Sequence, residues 1–277
     1  MHPERINTLH MTKQHLFICA LCAILFIACQ PSEEQRAATL VNDAKVLVDS
    51  GQWRQARIVL DSLHLTYPKQ VAQRRIAKAL EDSITYLEAQ RTLAYVDTLL
   101  PPLLTQADQL IKRFKYEKNE KYEDHGKYVH RLLSTGSNTS RNFIQTYVLD
   151  NRQTVVKSYY YGTYQVNQKT LLISANGEEA TFSGHNHHFQ DGAHHEIMTF
   201  DEDNALSLLN FINTHQKAKI RVEGVGDKPT RNWVYYLNDK EKEALSDTYQ
   251  LGFLMKDINQ LEHMQRTANI QINRFNK

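Results

Sequence analysis

Apolar residues recur at threes and fours from Glu33 to about Tyr116, at twos from about Asp124 to Asn238, and at near-heptad spacing from Asp239 to Asn273. Those periods predict helices, then a sheet, then one long closing helix. In the first region Val71, Leu80, Ile84, Leu87, Leu93, Val96 and Leu100 line one helix face. Pro101-Pro102 should break or kink it, because a proline pushes the residue before it out of helical geometry. A further helix is expected beyond, with Leu104, Ala107, Ile111 and Phe114 on one face. In the second region RNFIQTYVLD, QTVVKSYYYGTYQV, TLLIS, EATFSG, HHEIMTF, AKIRVEG and TRNWVYYLN read as strands rich in β-branched and aromatic residues. Asp150-Asn151 marks a turn, and Asn176-Gly177 a two-residue hairpin. One helix interrupts the strands at DEDNALSLLNFINTHQ, capped by Asp201 or Asp203, with Leu206, Leu209 and Ile212 inward. In the closing helix Leu245, Tyr249, Leu254, Ile258, Leu261, Ala268 and Ile272 form a coiled-coil-like stripe. That stripe needs apolar cover, so the helix is expected to pack back on the N-terminal helices. The fold class is α+β, with a mainly antiparallel sheet.

The stretch LVNDAKVLVDSGQWRQARIVLDSLHLTYP, Leu40 to Pro68, has a finer pattern. Ala44 and Ala56 are small enough for two antiparallel helices to approach closely. Gly51 suits the left-handed stop of the first helix, and Pro68 ends the second. Leu60 and Leu63 fill the apolar positions. In this spacing the stretch resembles a tetratricopeptide repeat, with Leu47 where the first helix usually carries an aromatic. The resemblance implies a helical hairpin that needs neighbours to cover it, and surfaces that in such proteins bind peptides or protein partners.

The N-terminus carries a different signal. Arg5 and Lys13 precede the apolar run LFICALCAILFIA, Leu16 to Ala28. The run is shorter than the roughly 20 residues of a comfortable span, and it has the form of a secretory leader. It ends in FIAC, which resembles the lipobox of bacterial lipoproteins. The resemblance implies cleavage before Cys29, lipidation of that thiol and a membrane lipid anchor. Met11 is an alternative start, and retention of the run as a membrane anchor is the alternative fate. Cys19, Cys22 and Cys29 are the only cysteines, so the mature chain would carry no disulfide. No Asp follows Cys29, and outer membrane is the expected location, on either side. The expected organisation is a signal peptide at 1–28, a tether at 29–36, a tetratricopeptide-like region at 37–121, a β-rich domain at 122–238 and a long helix at 239–277. In layout the chain resembles uncharacterised bacterial envelope lipoproteins.

The formal net charge is only +2 over 277 residues. No basic face of the kind nucleic acid requires is evident. KRFKYEKNEK, Lys112 to Lys121, interleaves acids with its cations and reads as a solvated helix end.

Two clusters carry candidate chemistry. GHNHHFQDGAHHE, Gly184 to Glu196, holds five of the thirteen histidines. A two-residue turn at Asp191-Gly192 would pair His187 with Glu196 and His188 with His195. It would set His185, His187, His194 and Glu196 on one face, ligand types that zinc or another divalent metal accepts. Phe189 and Met198 would share that face, which suits a plain polar hairpin equally. No metal or other cofactor is required by the sequence, and neither HExxH nor GxSxG occurs in it. The second cluster is aromatic: Tyr159, Tyr161, Trp233 and Tyr235, with Tyr160, Tyr164 and Tyr236 beside them. Strand alternation must expose some of these unless helices cover the sheet, and exposed Tyr and Trp favour protein or sugar contacts. The reading that follows is a lipid-anchored, non-catalytic scaffold with a protein partner. The alternatives are a ligand- or glycan-binding sheet and a metal-dependent, hydrolytic site at the histidine hairpin.

Overall fold

A computed structural model describes residues 31–133 and 140–275. The leader, Cys29 and the other two cysteines lie outside the described residues. Among the described residues there are five α-helices and ten strands: α1 Glu33–Asp49, α2 Trp53–Thr66, α3 Val71–Ile111, β1 Phe114–Glu117, β2 Lys127–His130, β3 Phe143–Leu149, β4 Thr154–Gly162, β5 Thr170–Ala175, β6 Glu178–Ser183, β7 His185–Asp191, β8 Ala193–Thr199, α4 Glu202–Thr214, β9 Arg221–Val225, β10 Trp233–Tyr236 and α5 Asp239–Phe275. The fold is α+β with two antiparallel sheets. The chain divides into two compact units, one holding residues up to Arg91 together with those from Asn269 onward, the other Thr92–Ala268. No helix of the described residues is long and apolar enough to cross a membrane.

The first unit is helical. Ser32 starts α1 with a capping box, its hydroxyl accepting from the Gln35 backbone while the Gln35 side chain accepts from the Ser32 backbone. Gly51, at φ +74°, lies in the turn to α2. Ala44, Ala56, Leu60 and Leu63 are fully buried and pack with Val41 of α1 and with Ala77 and Ile84 of the first half of α3. The closing helix returns here, with Phe275 meeting Tyr86 edge to face at 6.1 Å.

The second unit holds both sheets. Strand order is β1-β2-β3-β4-β8-β7 in the larger and β10-β9-β5-β6 in the smaller. Asn176 (φ +52°) and Gly177 (φ +82°) form the expected β5–β6 hairpin. Ile144, Val156 and Met198 of the larger sheet, Leu171, Ile173 and Val222 of the smaller, and Leu208, Leu209 and Ile212 of α4 build the principal core. Asp201 is the cap of α4, accepting from Asn204 N–H at 2.8 Å. A second core joins Val96, Leu100 and Ala107 of α3 to Leu251, Met255, Ile258 and Leu261 of α5, over Phe114 and Val148. Both cores use the same face of the larger sheet.

Three expectations change. Pro101 and Pro102 do not end α3, which runs unbroken for 41 residues. Asp97, Thr98, Leu99 and both prolines are exposed, so water can satisfy the carbonyls the prolines leave without donors. Val96, Leu100 and Ala107 meanwhile pack on α5, holding the helix on either side of the prolines. Phe114–Glu117 is a strand paired with Lys127–His130, not a helix end. Its burial anchors Phe114 in the core while Lys115 and Tyr116 face water. The β-rich region therefore begins near 114 rather than 122.

Candidate functional site

Strand alternation gives the larger sheet a buried face and an open one. Ile144, Thr146 and Val148 of β3, Val156, Ser158 and Tyr160 of β4, and Glu196 and Met198 of β8 are buried. Their odd-numbered neighbours point the other way. Cross-strand pairs Phe143↔Tyr159, Gln145↔Lys157, Tyr159↔Ile197, Tyr161↔His195, Phe189↔His195 and His187↔Ile197 lay them out as one continuous surface. None of these side chains belongs to a core cluster.

The surface is aromatic and weakly basic. Phe143 stacks on Tyr159 at 4.5 Å with planes 6° apart, and Arg141 covers the Phe143 ring at 5.4 Å. Phe189 stacks on His195 at 4.6 Å and 6°, and Tyr161 meets His195 edge-on at 5.2 Å. Tyr159 hydroxyl donates to Gln145 at 3.1 Å. Burial raises the pKa of both the Tyr147 and the Tyr159 phenol, so both stay neutral hydrogen-bonding groups. Across β3, β4 and β8 no acidic side chain points to this face, whereas Lys157 does and Arg141 flanks it. At the β2–β3 margin a cavity of about 130 Å³ opens beside Arg141, Phe143 and Gln145, floored by Val129 and Ile144.

Of the predicted residues, Tyr159 and Tyr161 lie on this face. Trp233 and Tyr235 do not. Trp233 is buried in the smaller sheet, stacked 6.0 Å from Tyr160 and 5.8 Å from Tyr235. Burial pushes the Tyr160 phenol up to about 12 and the Tyr235 phenol well above its ordinary value. Phe143, Phe189, His195 and Arg141 complete the face; the sequence reading places Phe189 and His195 only in the histidine hairpin and gives Phe143 and Arg141 no role. Their odd-numbered alternation was visible in the sequence, but their partners depend on strand order.

The histidine quartet is not brought together. β7 and β8 pair as Asp191↔Ala193, His188↔Glu196 and His187↔Ile197, one residue out of the expected register. Gly192 alone, at φ +70°, makes the tip. A one-residue slip moves a strand's side chains to the opposite face. His185 and His187 therefore stay on the open face, while His194 and Glu196 turn to the other. Pairing with β4 fixes Glu196 inward, opposite Tyr160. There its carboxylate accepts from Val166, Asn167 and Gln168 backbone N–H and from the Asn186 amide, at 2.5–2.8 Å. Three successive backbone donors form a nest around it, committing Glu196 to the β4–β5 connection. Among the described residues no group of three or more His, Cys, Asp or Glu is placed to hold a metal.

A further buried cluster joins β2 to α5. His130 Nδ1 accepts from Leu132 N–H, so Nε2 carries the proton and donates to Asp247 at 2.9 Å. Arg113 Nη1 lies 2.9 Å from both Asp247 oxygens. The cluster latches β1 and β2 to the closing helix.

No protein-family model, curated protein or solved structure matches this chain.

Proposed function

We propose that this chain is a lipid-anchored envelope protein that works without catalysis, holding a protein partner on the open face of its larger sheet. The leader pattern and the FIAC sequence support the anchor on Cys29. The tetratricopeptide-like hairpin fits a scaffold. The observation that carries the docking reading is the aromatic face of Phe143, Tyr159, Tyr161 and Phe189, in which Tyr161 and Phe189 are exposed around a buried His195 and to which β3, β4 and β8 contribute no acidic side chain. Large rings with polar tips are favoured anchors at protein interfaces. Lys157 favours a partner with an acidic surface, and the cavity beside Phe143 can receive one of its side chains.

A glycan fits less well. Sugars stack on exposed ring faces, but Phe143 has Tyr159 stacked on it and Arg141 over its ring, and Phe189 is stacked against His195. The test is chemical crosslinking and capture from intact envelopes. Tyr161→Ser with Phe189→Ser should abolish the crosslinked partner, with circular dichroism showing that the double variant is still folded at the temperature of the assay. Capture of the same partner at wild-type yield would refute the docking reading. Mass spectrometry of the membrane fraction tests the anchor separately: a lipid on Cys29 is expected, and an unmodified thiol with the leader attached would refute it.

A further inference from the structure

His188 and His194 turn to the side of the β7–β8 hairpin opposite the aromatic face. Their ring nitrogens meet there, His188 Nε2 lying 3.0 Å from His194 Nδ1. The rings lie nearly side by side, centroids 5.3 Å apart and planes 24° from parallel. One proton therefore bridges two imidazoles, each half-buried, on a hairpin whose backbone is paired from His185 to Asp191. We propose that this pair is a two-histidine site for a divalent late transition ion, copper(II) foremost.

The distances support it. Imidazole nitrogens bind such ions at about 2.0–2.1 Å, and two neighbouring ligands at 90–109° stand roughly 2.9–3.4 Å apart. The pair already spans 3.0 Å, nearest the right-angle geometry of tetragonal copper(II) or nickel(II). Turning each ring about χ2, a broad torsion for histidine, brings both lone pairs to one point; the ring that carries the bridging proton gives it up to solvent and is reprotonated on its other nitrogen, so two neutral imidazoles bind the ion with no net proton released. The remaining positions belong to water, because Glu196, opposite His188, is already held by four donors. Copper(II) heads the stability order for nitrogen sites of this kind. The ion site is on the reverse side of the strand that carries His187 and Phe189, so partner docking and ion binding are separable.

The test uses the untagged full chain with thiols blocked by N-ethylmaleimide and copper(II) alone as the probe, at pH 7.5. One equivalent should bind saturably, with nitrogen hyperfine coupling in the electron paramagnetic resonance spectrum. His188→Asn and His194→Asn should each weaken that site at least about tenfold and remove the two-nitrogen coupling, with melting temperature unchanged. His187→Asn, on the opposite face, should leave it intact. Absence of a saturable equivalent, its survival in His194→Asn, or its loss in His187→Asn would each overturn the assignment.

Discussion

Replacing Glu196 tests how the two sheets are joined. Its side chain is fully buried, and four donors converge on it, three of them from the connection between β4 and β5. In Glu196→Ala all four lose their acceptor. An orphaned buried donor costs about 1–3 kcal/mol, which over four donors sums to about 4–12 kcal/mol. Against that stands the relief of no longer burying a carboxylate, several kcal/mol in the opposite direction. Breaking a buried charged pair by removing one member typically costs about 3–5 kcal/mol, and we expect the net loss within that range. Glu196→Gln should be milder. Its oxygen can keep Val166 and Asn167, and Asn186 can flip its unpartnered Oδ1 toward the new amide, leaving only Gln168 N–H orphaned. That predicts about 1–3 kcal/mol. The assay is urea unfolding followed by fluorescence in a Trp53→Phe background. Trp233 then reports on the unit that contains Glu196, avoiding a single two-state fit across both units. A Glu196→Ala loss below about 1 kcal/mol, or one smaller than that of Glu196→Gln, would refute the reasoning.

Gly252→Ala should destabilise the protein by about 1–3 kcal/mol, although alanine is the better helix former by about 1 kcal/mol. A Cβ there would lie 2.2 Å from Thr154 Oγ1. Thr154→Ala in the same chain should restore much of the loss, as thermal melts of the single and double variants would reveal. Acidification should weaken the fold. Arg152 holds the Glu262 carboxyl below its ordinary 4.5, and backbone N–H donors hold Asp150 and Asp201 below their ordinary 3.8. The folded state then binds fewer protons, so this stability is complete above those ordinary values and declines as pH falls through the lower folded ones. Urea midpoints from pH 6 to pH 2.5 measure it, and Arg152→Met should shallow the slope.

Much of the architecture was legible because burial enforces period. The alternation in FIQTYVL had one face to hide and appears as read, and in the closing helix Leu245, Ile258, Leu261 and Ala268 are buried as expected, while Leu251 and Met255 take the place expected of Leu254. Gly51 and Asn176-Gly177 were legible because few residues accept a positive φ. Pro101-Pro102 misled as a helix end because local stereochemistry was weighed without the α5 contacts that keep α3 helical across it. The histidine hairpin misled for a related reason. Its register follows from Asn186 reaching Glu196 and Phe189 stacking on His195, contacts that exist only once β8 is fixed by β4. Tyr159 and Tyr161 could be separated from Tyr160 by parity alone. Nothing local distinguished them from Trp233, because the split into two sheets is a property of strand order.

Site-specific photocrosslinking in intact envelopes tests the docking face most directly. A benzoylphenylalanine at Tyr161 should yield one discrete protein adduct that survives glycosidase treatment. The same probe at Tyr236, more exposed but on the smaller sheet, should yield none. No adduct from position 161, or equal adducts from both, would contradict a partner seated on the aromatic face.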